Sequence, residues 1–113
     1  MPRALVLAAR QPDFSGLLEA AGYDVVVRTR PLDGERVDAD VAIVFRGRLI
    51  GRTQAATLWE AGVPVVEVMT ATPTARSTAG WIRVSNRIVK SDLVQIVHSL
   101  ADRWAGAQVE TDA

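Results

Sequence analysis

Arg10, Arg46, Arg48, Arg52 and Thr70 are the residues of this chain whose type and placement could do chemistry. An arginine offers a planar fork of N–H donors that suits phosphate or carboxylate. The start of a helix adds free N–H groups and the positive end of the macrodipole. Together they could bind a small anion or nucleotide, or an acidic side chain of a partner. The alternative is that these loop arginines are solvated and pair with Asp13, Asp40 or Glu67. The hydroxyl run Thr70, Thr72, Thr74, Ser77 and Thr78 could add donors, although a Ser/Thr-rich stretch is usually only a loop. "GRLIGRT" lacks the lysine and spacing of a phosphate-cradling loop. His98, the only histidine, lies off the apolar stripe of its segment and reads as a surface residue. With no cysteine, disulfides, thiolate catalysis and cysteine-ligated zinc are excluded.

Alternating apolar runs position these residues. "RALVLAA" reads as a strand covered on both faces, and "DVVVRT", "DVAIVF", "VPVVEVM" and "WIRV" follow as further strands. Pro64 stands at a strand entry, where a missing N–H does least harm. Between the first two strands, Phe14, Leu17, Leu18 and Ala21 mark one face of a helix capped by Asp13 and stopped at Gly22. A second helix spans Arg52 to Ala61, with Ala55, Leu58 and Trp59 on one face and Gly62 as its stop. The clearest helix runs from Ser91 to Trp104 on Leu93, Ile96, Val97, Leu100, Ala101 and Trp104. "PLDGERVDAD" and "TATPTARSTAG" lack an apolar stripe and read as loops.

Strands alternating with helices imply parallel pairing with right-handed crossovers. The expected fold is therefore α/β and flavodoxin-like: a three-layer sandwich on a five-stranded parallel sheet, order 2-1-3-4-5. One domain is expected over 1–104, with a solvated, disordered tail over 105–113. Apolar residues make up 49% and charged residues 23%, which suits a globular chain able to bury a core. Thirteen basic and thirteen acidic side chains cancel, so neither nucleic acid nor a membrane surface is expected as partner. The apolar run 4–9 is too short for a signal-peptide core, and no stretch approaches a membrane span. A cytoplasmic location is expected.

With these elements in place, the chain resembles a response-regulator receiver domain over most of residues 4–104. "VLAARQPDFSGLLEAAGYDV" is similar to the receiver opening, "ADVAIVF" to its third strand, "VPVVEVMTA" to its fourth, and "DLVQIVHSLADRW" to its last helix. Thr70-Ala71 keeps the threonine–alanine end of the fourth strand. The resemblance places an Mg²⁺-binding acid pair at Ala9 and Arg10, the phosphorylated aspartate at Phe45, and the phosphoryl-pairing lysine at Asn86 or Arg87. None of these positions holds the required residue. The resemblance then implies a pseudo-receiver: a non-catalytic, phosphorylation-independent regulatory or protein-interaction module with no cofactor. A protein partner or homodimer is expected, with Trp81 and Trp104 as interface candidates on the face formed by the last two strands and last helix. A sensor of small anions at the arginines is the second reading, and a small flavodoxin-like enzyme the third.

Overall fold

Valine, isoleucine and alanine runs of strand length can bury both faces only between two layers of other elements. The computed structural model, which describes residues 2–10, 15–34, 37–48, 50–70 and 80–112, shows that arrangement. In chain order the elements are β1 (Arg3–Leu7), α1 (Ser15–Ala20), β2 (Asp24–Arg28), β3 (Val41–Phe45), α2 (Arg52–Glu60), β4 (Val65–Met69), β5 (Trp81–Ser85) and α3 (Lys90–Asp112). All strand pairs are parallel and the order is β2-β1-β3-β4-β5, as the alternation of elements implies. Position in the sheet decides burial. Residues 4–7 of β1, 41–44 of β3 and 65–68 of β4 are buried, while β2 and β5, at the two edges, are mostly half-exposed.

Strand alternation sorts the core into two layers. Ala4, Val6, Val41, Ile43, Val66 and Val68 meet Leu18 of α1 and Leu93, Val97 and Leu100 of α3. On the opposite face Leu5, Leu7, Ala42, Val44, Val65 and Trp81 meet Ile50 and, from α2, Ala55 and Leu58. Gly22 and Gly62 follow α1 and α2 with φ of 99° and 86°, the left-handed conformation that ends a helix cheaply only at glycine. The connection after β2 forms no helix among its described residues. It is held by Gln54, whose Oε1 accepts from the Leu32 N–H at 2.7 Å.

Three expectations shift. In α1 the buried residues are Ser15 and Leu18, and Leu17 is exposed, because so short a helix turns only one row inward. The expected Asp13 cap and Phe14 lie outside the described residues. Trp59 is also exposed and packs against Trp81 with ring centroids 5.9 Å apart, at the border of the layer rather than within it. Finally, α3 does not end at Trp104: its backbone stays helical to Asp112, through most of the expected tail over 105–113. Extending a formed helix costs little where Ala105, Ala107, Gln108 and Glu110 favour it, even with no apolar stripe.

Candidate functional site

The carboxyl ends of the parallel strands form one rim, where ligands of such sheets bind. From β1 it receives Ala9 and Arg10, both exposed. From β3 it receives Phe45, which is half-buried and packs into the layer under α1 and α3. The position that resembles the receiver nucleophile is thus used for packing. From β5 come Asn86 and Arg87, exposed in a turn whose backbone is tied down: Asn86 N–H donates to Met69 O at 2.8 Å, and Arg87 N–H to Ser85 Oγ at 3.2 Å.

Alternation sends Arg46, the residue after Phe45, to the other face, and its N–H continues the pairing by donating to Val68 O at 2.9 Å. There it meets Glu67, a fully buried acid in the middle of β4. Glu67 Oε1 accepts from Trp81 Nε1 at 3.1 Å and from Arg83 Nε at 3.2 Å. Its Oε2 lies 3.6 Å from Arg46 Nε, an ion pair too long for a hydrogen bond, and has no hydrogen-bond partner among the described residues. Arg83, its side chain 9% exposed, also stacks over the Trp81 ring at 4.4 Å from the centroid. A carboxylate taken out of water is tolerated only when paired in this way.

The described rim arginines do not all line one cleft. Arg46 shares an open cleft of about 320 Å³ with Gly47, Met69 and Thr70. Arg10 and Arg48 are exposed and line none of it. Arg52 opens α2 as expected, but its side chain lies outside the described residues, as do Thr72, Thr74, Ser77, Thr78 and the Trp104 side chain. Glu67 also supplies the counter-charge that an uncompensated positive rim would lack. This is the pairing that the sequence leaves open as the alternative for Arg46.

Trp81 is buried in the layer under α2 and spends its N–H on Glu67. His98 has a partner the sequence does not reveal: its Nδ1 lies 3.2 Å from Tyr23 Oη, with the rings edge to face. Burial is the main cause that pushes the Tyr23 hydroxyl above its ordinary pKa, and Asp102 and Asp40 add to it. Glu67 was open to discovery from "VVEVM" alone, since an acid inside a central strand of an α/β sheet must find a cation. The Tyr23–His98 contact spans 75 residues and leaves no local signal.

A hard divalent cation wants carboxylate oxygens. Ala9, Arg10 and Phe45 do not fit that requirement, and no group of three acids or histidines among the described residues could hold a metal.

Sheet order, crossovers and helix placement define a flavodoxin-like fold of the receiver type. A solved response regulator receiver domain protein from Clostridium thermocellum has the same fold, with a TM-score of 0.67 at 15% identity, over 91% of this chain and 96% of that one. No protein-family model matches the sequence, and no curated protein does. Among the described residues no helix is long and apolar enough to cross a membrane.

Proposed function

We propose that this chain is a regulatory module that acts by protein contact, without phosphorylation and without catalysis. The observation that carries this reading is Phe45. It occupies the strand end where the receiver resemblance places the phosphorylated aspartate, and its side chain packs into the core. A phenyl ring offers no nucleophilic atom, and the neighbouring Ala9 and Arg10 offer no metal ligand. The receiver-type fold is itself that of a signalling element, which favours regulation over chemistry. Incubation with acetyl phosphate and Mg²⁺, followed by intact-mass spectrometry, tests this. An unchanged mass is expected. A stoichiometric, acid-labile phosphoryl adduct would overturn the reading.

The cleft beside Arg46 favours a second reading, a small-anion sensor. Arg46 and Thr70 could hold one phosphate-sized group, with Glu67 working against the anion's affinity. Thermal shift with inorganic phosphate at fixed ionic strength separates the two readings. Stabilisation of the wild type that Arg46→Ala abolishes would support the sensor, and equal curves would remove it.

A further inference from the structure

β2 ends the sheet order and, among the described residues, pairs with β1 alone. Asp24 N–H donates to Pro2 O at 2.8 Å, and Arg28 O accepts from Ala8 N–H at 3.0 Å. Asp24, Val26 and Arg28 therefore turn their main-chain groups toward β1. Successive residues alternate, so Val25 and Val27 present theirs to the free edge. Among the described residues nothing bonds to them there. Proteins usually blunt such an edge with proline, lysine or a bulge, because it templates another strand. The five residues Asp24-Val25-Val26-Val27-Arg28 form a regular strand with no proline or lysine. Val26 is 39% exposed, beside a hollow of about 210 Å³ lined by Leu5, Leu32 and Val37 and rimmed by Arg3, Arg28 and Asp38.

The charges select the occupant. Asp24 and Arg28 share a sheet face and stand two residues to either side of Val26. A second copy laid antiparallel about a two-fold axis at Val26 sets Asp24 of each copy against Arg28 of the other. Val26 then meets Val26 at the centre, and Val25 and Val27 exchange their outward N–H and C=O groups. In this register the charged and central pairs are the non-hydrogen-bonded ones, where facing side chains stand closest. A parallel in-register pairing would instead oppose like charges. Asp24 already has Arg3 Nε at 3.4 Å from Oδ2 and Arg28 is also engaged within its own chain, but a half-exposed carboxylate has acceptor capacity to spare and a guanidinium carries five N–H donors.

We propose that the chain forms a two-fold dimer through β2, joining the two sheets into one. This goes beyond the face of β4, β5 and α3 expected from sequence, and it rests on the reading of the chain as a module that acts by contact. The test is multi-angle light scattering and sedimentation velocity on the full chain across a wide concentration range, with circular dichroism to confirm that each variant is folded. The wild type should be dimeric at micromolar concentration. Val26→Lys, which sets like charges face to face at the axis, and Asp24→Arg, which opposes Arg28, should each shift the protein to the monomer mass. The charge swap Asp24→Arg with Arg28→Asp should restore the dimer. If Asp24→Arg does not fold, Val26→Lys alone decides. A monomeric wild type, or a dimer indifferent to these changes, overturns the proposal. A phosphoryl adduct on an intact dimer would sink only the functional reading above. A monomer that stays unmodified would sink only this one.

Discussion

On one face of the sheet, valine, isoleucine and alanine side chains lie under α1 and α3 without a buried charge, whereas the opposite face buries Glu67 between two arginines and an indole. The second face also has less helical cover: among the described residues only α2 packs on it, with Ile50, Leu32 and Val63 from the connections. Two halves of one domain thus reach the same burial by different means. The apolar face gains roughly in proportion to the area removed from water. The charged face gains little net energy from its ion pairs but loses much if one member is removed, because the remainder is left buried and unpaired.

Substitutions at Glu67 and Leu18 break this comparison most directly. Glu67→Leu keeps the volume but strips Arg83 and Trp81 of their acceptor, and should cost about 3–5 kcal/mol in chemical denaturation. Leu18→Ala on the apolar face leaves a cavity and should cost somewhat less, about 3 kcal/mol. Should Glu67→Leu prove neutral, the buried network would be of little consequence to stability.

Arg46→Ala sharpens the contrast within the network. The Arg46 side chain is 34% exposed, and Glu67 keeps both hydrogen bonds to Oε1 without it. Solvent screening then limits the loss to about 1 kcal/mol in the same denaturation experiment. A loss as large as that of Glu67→Leu would make Arg46, rather than Arg83, the principal counter-ion.

A similarly small effect belongs to the polar contact at the border of the apolar face. Tyr23→Phe removes the bond to His98 and should cost about 0.5–1.5 kcal/mol near neutral pH. The Tyr23 pKa is raised on folding above its ordinary value of 10.0, so the native state holds that proton longer than the unfolded chain does. The resulting stability is present in full below pH 10.0 and declines as pH rises beyond it. Denaturation curves taken from neutral to strongly alkaline pH should therefore fall more steeply for the wild type than for Tyr23→Phe. Parallel curves would remove Tyr23 as the cause.

Local pattern alone determined the strand–helix alternation and the helix stops at Gly22 and Gly62. Each follows from backbone preference or apolar period within a few residues. Phe45 at the end of β3 was equally legible, because a side chain without a nucleophilic atom rules out that chemistry in any surrounding. Only the tertiary structure decided which carboxylate answers Arg46, that Trp81 is spent on Glu67, and that Tyr23 meets His98. It also fixes the register of β2 against β1, which turns the main-chain groups of Val25 and Val27 to the outer edge. The physical reason is the same in each case. Period and propensity act along the chain over a turn or a strand, whereas pairing of charges and rings depends on register across strands far apart in sequence.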